Sequence, residues 1–185
     1  MTTLRPTREP LYIFKKAFFL LFALRARLPQ SAPAISVPDI ASLPMFVDNV
    51  IPTTLVHFKI LRFGPSAPPA LQEWAKTAQA DKPTAEQVAA ITASAASSEP
   101  APKARPPIEG PSLSKEDAYR VRAAALDAGT AVVARAKALA AKEPELAWLG
   151  GISEVDVDGY LWAVAKDDAE LRKVPRLVEK GTVMY

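Results

Sequence analysis

The stretch LPMFVDNVIPTTLVHFKIL, residues 43–61, places a carboxylate in a short apolar run just before a helix that starts with a proline. Pro52 suits the first turn of a helix, because its missing N–H is one that a helix start leaves unpaired. Asp48 or Asn49, just upstream, can accept hydrogen bonds from the other unpaired N–H groups of that turn. We therefore expect a helix from about Pro52, with Asp48 as either its N-terminal cap or a functional acid.

The chain before this stretch predicts a long helix that follows Pro10 and leads, through a proline-rich connection, to the helix at Pro52. Apolar side chains spaced as on one helical face indicate that the first helix is buried. These side chains are Leu11, Phe14, Phe18, Leu21 and Leu28.

The apolar run AFFLLFAL, residues 17–24, follows Lys15 and Lys16 and so has the charged start and apolar middle of a secretory signal. However, Arg25 and Arg27 stand where a signal needs a small-residue cleavage site. The run is also far shorter than the roughly 20 residues that span a bilayer. We expect a buried helix and no membrane partner, and the weaker alternative is an interfacial helix on a membrane surface.

Composition narrows the classes of function. A chain of 185 residues with 49% hydrophobic residues is large enough for one sizeable core. The net charge of +3, without a concentrated basic face, predicts no direct binding of nucleic acid. The chain has no cysteine and one histidine, which argues against a metal site built from these residues. A carboxylate-only magnesium site stays open, although nothing in the spacing indicates one, and no metal or organic cofactor is implied. The lack of cysteine is compatible with the reducing cytoplasm, which is the predicted location.

Proline and alanine usage divides the chain into three parts. An N-terminal helical part, residues 1–63, carries the Asp48 motif. Residues 64–112 hold nine of the 18 prolines, so most of this part is predicted to be a mobile Pro/Ala-rich insertion. Short helices are candidates within it, one over residues 71–80 and another capped by the Thr84 and Gln87 pair.

The third part, residues 113–185, is predicted to be helical again. Ser114, with Asp117 three residues later, opens a long alanine-rich helix that reaches about Lys142 and whose small face favours close packing. The last residues, VPRLVEKGTVMY, carry the only modest strand signal. The predicted fold is therefore mainly α, a helical domain with little or no β structure.

Residues Phe46, Asp48 and Pro52 resemble the FADYRVPQ…L.HLGIL signature of the queuosine salvage family. Members of that family hydrolyse queuosine 5'-phosphate and release the free base queuine for tRNA modification. The resemblance implies that Asp48 is the catalytic carboxylate and that Phe46 contacts the substrate. Cleavage of an N-glycoside passes through a ribosyl cation, which a buried anion stabilises more than it stabilises the substrate.

Two further stretches carry the resemblance. VDVDGYLWAV, residues 155–164, is similar to the family's IDxYLW motif, which implies that Asp158 and Trp162 line the substrate pocket. The alternative is that Asp158 caps a helix whose Leu161 and Trp162 belong to the core. Lys16 matches a KKA segment and implies an ammonium near the 5'-phosphate; the alternative is a solvated lysine pair flanking an apolar helix.

Two other residues have less direct roles in this interpretation. Arg122 resembles part of the family's EIRA helix and is expected to be a structural or supporting residue. His57 has no identifiable partner for a catalytic triad, so we expect it to be packed or capping.

The chain departs from the family pattern at several positions. The Tyr-Arg pair after the motif aspartate is Asn49-Val50 here, and Thr53, Arg120 and Ala163 also differ. The resemblance covers most of this chain but only the C-terminal half of a family member, and the N-terminal half that helps to enclose queuine has no counterpart. We therefore expect an open or incomplete pocket, and the rival hypothesis is a truncated, non-catalytic relative that binds a ligand or a partner.

Overall fold

The computed structural model describes residues 14–28, 39–78 and 108–179, and these residues are mainly helical, as the sequence predicts. The helices are α1 (Lys15–Arg27), α2 (Val50–His57), α3 (Pro69–Ala78), α4 (Lys115–Ala140) and α5 (Glu154–Asp167). Two short strands, β1 (Glu109–Leu113) and β2 (Arg176–Glu179), form a parallel pair. Short 3₁₀ helices cover Ile40–Ser42, Pro144–Gly151 and Leu171–Lys173.

Helix α2 is the centre of the core. It begins at Val50, two residues before the expected start, and Pro52 lies in its first turn. Every residue from Val50 to Val56 is buried, because α2 is apolar around most of its circumference and contacts α3, α4, α5 and β2. The residues just before α2 are consequently held among several elements.

Helix α4 has the bounds that its capping residues predict. The Ser114 hydroxyl accepts a hydrogen bond from the backbone N–H of Asp117 at 3.1 Å, and the helix ends at Ala140. A Cβ at Gly129 would clash with the side chain of Met45, so Met45 packs directly on the backbone of α4. The small face of α4 was expected to pack against another helix, but at Gly129 it packs closely against the stretch before Asp48.

Helix α3 confirms the helix expected over residues 71–80, but it belongs to the core. Leu71 and Trp74 are buried, and the indole N–H of Trp74 donates to the Pro175 carbonyl at 2.6 Å. This part of the insertion predicted over residues 64–112 is therefore packed helix rather than mobile chain. Residues 79–107 of the insertion, with the Thr84 and Gln87 pair, lie outside the described residues.

The strand signal at the end of the chain is confirmed for β2, whereas β1 lies inside the predicted insertion and was missed. The pairing places Glu109 opposite Arg176 and Leu113 opposite Glu179. Beneath it, Arg122 of α4 and Glu179 form a buried ion pair with nitrogen and oxygen 3.2 Å apart. The structural role expected for Arg122 is confirmed.

The prediction that the first helix is buried is wrong. No residue of α1 is buried, and Phe19 and Leu20 are more than half exposed in the described structure. The reason is that the apolar residues of α1 surround the helix, while only one side meets the protein, where Phe18 and Phe22 pack on Phe46. Within the described ranges, no helix is long and apolar enough to cross a membrane.

Candidate active site

Asp48 lies directly before α2 and is both a helix cap and the buried member of a partly buried ion pair. Its Oδ1 accepts hydrogen bonds from the backbone N–H groups of Val50, at 2.7 Å, and Ile51, at 3.2 Å. Its Oδ2 lies 2.9 Å from the ammonium of Lys15 on α1. The interpretation of Asp48 as a helix cap is confirmed, and its other oxygen is bound by a charged partner; the role of Asp48 as a functional acid stays a prediction.

Asp158 lies in the second turn of α5, facing the same region. The interpretation of Asp158 as a cap is wrong, because Ser153 caps α5 and forms a capping box with Asp156. Instead, Oδ1 of Asp158 accepts a hydrogen bond from the backbone N–H of Phe46 at 3.0 Å. This bond joins α5 to the stretch that precedes α2.

The environment of Asp158 favours its protonated form. Burial raises the pKa of its carboxyl from 3.8 to about 6; the hydrogen bond from Phe46 opposes this rise, and the negative charge of Asp48 adds to it. A carboxyl with a pKa near 6 can donate a proton close to neutral pH, as a general acid must.

A cavity of about 460 Å³ brings the predicted site residues together. All five of them line it: Lys16, Phe46, Asp48, Asp158 and Trp162. The rest of the lining is Lys15, Phe19, Phe22, Val155 and Gly159. The volume lies in the range of small-molecule pockets, and the mixture of apolar walls with a few charged groups is typical of them.

Trp162 forms an exposed wall of this cavity. Its neighbour Leu161 is buried, but the Trp162 side chain is 42% exposed, so its interpretation as a core residue is wrong. The ammonium of Lys166, one helical turn later, lies 3.3 Å from the centre of the indole ring and makes a cation–π contact. Burial and the nearby charge of Arg176 lower the pKa of Lys166. Because Lys166 does not line the cavity, its contact restrains the indole from outside the pocket.

Sequence reasoning missed the role of Lys15. Both lysines line the cavity, but it is Lys15 that makes the ion pair with Asp48. Consecutive residues of a helix point about 100° apart, so the two lysines reach different parts of the pocket. Gly159 and Val155 were also missed, although their helical spacing to Asp158 and Trp162 was a signal that could have found them.

His57 lies on α2 in a packed position, as expected. Its Nδ1 is 2.9 Å from the Ala78 carbonyl, and its ring contacts Phe58 edge to face. In the part of the chain that the structure describes, no three histidine, cysteine or acidic residues are grouped as metal ligands.

The pocket combines two buried carboxylates of different character, two ammonium groups and an aromatic wall. One carboxylate is held by a cation and two N–H groups, and the other has a raised pKa, a pairing that suits acid-assisted cleavage of a bond next to a sugar carbon. No protein-family model, curated protein or solved structure matched this chain when it was compared with them.

Proposed function

We propose that the protein hydrolyses the N-glycosidic bond of queuosine 5'-phosphate and releases queuine, a step of tRNA queuosine salvage. The observation that carries the proposal is the placement of Asp48 and Asp158, both buried, in the lining of one pocket. The resemblance of the residues around them to the queuosine salvage motifs supplies the substrate.

Asp48 is the proposed catalytic carboxylate. Its bonds to Lys15 and to the N–H groups of α2 hold it in one orientation, so it does not have to reorganise when positive charge develops at C1' of the ribose. A carboxylate fixed in a partly buried pocket stabilises a ribosyl cation more strongly than water does. The cation then reacts with water, or with the carboxylate to form an ester that water hydrolyses, and in both routes the ribose 5-phosphate gains the hydroxyl of water at C1'.

Asp158 is the proposed acid that assists departure of the base. The 7-deazaguanine base of queuosine lacks the ring nitrogen that purine glycosidases usually protonate, so the site has to stabilise the leaving base through another atom. A carboxyl with a pKa of about 6 can donate a hydrogen bond or a proton to the base. In this proposal Trp162 and Phe46 contact the substrate.

Lys16 is the proposed partner of the 5'-phosphate. It lines the cavity beside Lys15, and an ammonium is a suitable point charge for a phosphate. In this proposal Lys15 holds the catalytic carboxylate, and Lys16 attracts the phosphate of the substrate.

The test is to incubate the purified protein with queuosine 5'-monophosphate and to measure free queuine by mass spectrometry. We expect release by the wild type and a loss of about 10²–10³-fold in Asp48→Asn, which keeps the capping oxygen but removes the charge. Asp127→Asn, an exposed change on α4, is the matched control and should behave as wild type. Undiminished release by Asp48→Asn would overturn the proposal.

The exposed apolar surface of α1 favours a second candidate function, a helical scaffold that binds a ligand or a partner chain without turnover. Phe19 and Leu20 are both more than half exposed in the described structure, and exposed apolar surfaces often mark binding sites. This candidate predicts self-association or binding of a hydrophobic dye, together with no release of queuine. Turnover by a monomeric protein that does not bind the dye would exclude it.

A further inference from the structure

One face of α5 forms a continuous wall of the cavity. Val155, Asp158, Gly159 and Trp162 are spaced as residues i, i+3, i+4 and i+7, so they lie on the same side of the helix, and all four line the pocket. Among them, Gly159 is the position where the wall has no side chain. The bare helix backbone is therefore part of the pocket surface.

Neither packing nor backbone conformation requires a glycine at this position. Gly159 lies in the interior of α5, where glycine makes a helix less stable than alanine does. A Cβ built on Gly159 would meet no heavy atom within 4 Å among the described residues, and its φ is not in the left-handed region. By contrast, a Cβ at Gly129 would collide with Met45, and one at Gly110 would collide with the Arg176 backbone.

The neighbours of Gly159 indicate what occupies the space beside it. Trp162, one turn later, offers an indole that Lys166 restrains from outside the pocket, and aromatic rings stack well on such a surface. Asp158 lines the same cavity, so a planar group lying against Gly159 and Trp162 would share the pocket with the carboxyl.

We propose that Gly159 is a specificity-determining residue whose bare backbone is the floor on which the planar base of a nucleotide lies, beside Trp162. The proposal rests on the proposed function for the class of ligand, a nucleoside 5'-phosphate. It adds that the size of the accepted base is limited by the residue at position 159.

The test measures binding by calorimetry in the wild type, Gly159→Ala and Gly159→Leu, each carrying Asp48→Asn so that the nucleotide is not cleaved during the titration. The ligands are queuosine 5'-monophosphate, guanosine 5'-monophosphate and ribose 5-phosphate, which has no base. We expect Gly159→Ala to weaken binding of both nucleotides by about tenfold, and Gly159→Leu to weaken it further, because each added carbon occupies the floor. Binding of ribose 5-phosphate should not change.

A stability measurement excludes a folding defect. Gly159→Ala should raise the melting temperature by roughly 2–4 °C, because alanine favours the helix and meets no neighbour. Gly151→Ala, at the end of the 3₁₀ helix Pro144–Gly151, also meets open space but does not line the cavity. It should therefore leave nucleotide binding unchanged.

The outcomes separate this proposal from the proposed function. The role of Gly159 would be overturned if Gly159→Leu bound the nucleotides as tightly as the wild type does. It would also be overturned if the variants lost affinity equally for ribose 5-phosphate and for the nucleotides. Both conclusions hold even if queuine is released. Nucleotide binding that depends on position 159 without release of queuine would support the role of Gly159 and contradict the hydrolase. A wild type that binds neither nucleotide would overturn the role of Gly159 whatever the turnover assay shows.

Discussion

At the scale of the residue, Asp158 makes stability depend on pH. Its pKa is raised from 3.8 to about 6, so the folded state binds this proton more tightly than the unfolded state does. The contribution of Asp158 to stability is therefore fully present below pH 3.8 and is lost as the pH rises through 6. The free energy of unfolding falls by about 3 kcal/mol over this range.

Asp158→Asn keeps the oxygen that accepts a hydrogen bond from Phe46 but does not titrate. We expect this variant to gain stability relative to wild type between pH 4 and pH 7, as measured by urea unfolding across that range. A difference between the two proteins that stays constant with pH would contradict this account.

At the scale of the element, the ion pair between Lys15 and Asp48 attaches α1 to the start of α2. The side chains are 24% and 8% exposed, so the pair is much less screened than a surface pair. We expect a double-mutant cycle of Lys15→Met and Asp48→Asn, followed by urea unfolding, to give a coupling energy of about 1–2 kcal/mol. The exposed pair Lys173–Glu170 is the control and should give less than about 0.5 kcal/mol. Equal coupling in the two cycles would mean that α1 is not held by this pair.

The elements also differ in how far the sequence predicts them. The bounds of α4 were predictable because Ser114 and Asp117 determine its start through local hydrogen bonds. Strand β1 was not predictable, because it forms by pairing with β2, which is distant in sequence. Gly110 is needed in β1 because the Arg176 backbone lies too close for a side chain, and this contact exists only in the folded protein. The same holds at the site: local motifs pointed to Asp48 and Asp158, but the ion pair of Lys15 with Asp48 depends on how α1 docks.

At the scale of the whole molecule, the segment that ends in β2 joins the parts of the core. The Pro175 carbonyl accepts a hydrogen bond from Trp74 of α3, the Leu177 carbonyl accepts one from Asn49 at 3.3 Å, and Glu179 is paired with Arg122 of α4.

Arg122→Met leaves the buried carboxylate of Glu179 without its cation, so we expect a loss of about 3–5 kcal/mol in the free energy of unfolding. The double variant Arg122→Met with Glu179→Leu should recover most of this loss, because two apolar side chains can replace a buried ion pair. Because Asn49 binds Leu177 of β2 and adjoins Asp48, the proposed function predicts slower release of queuine by the single variant and partial recovery of that rate by the double variant. Urea unfolding and the queuine assay on the same three proteins test both expectations, and a single variant as stable as wild type would show that β2 is held without the pair.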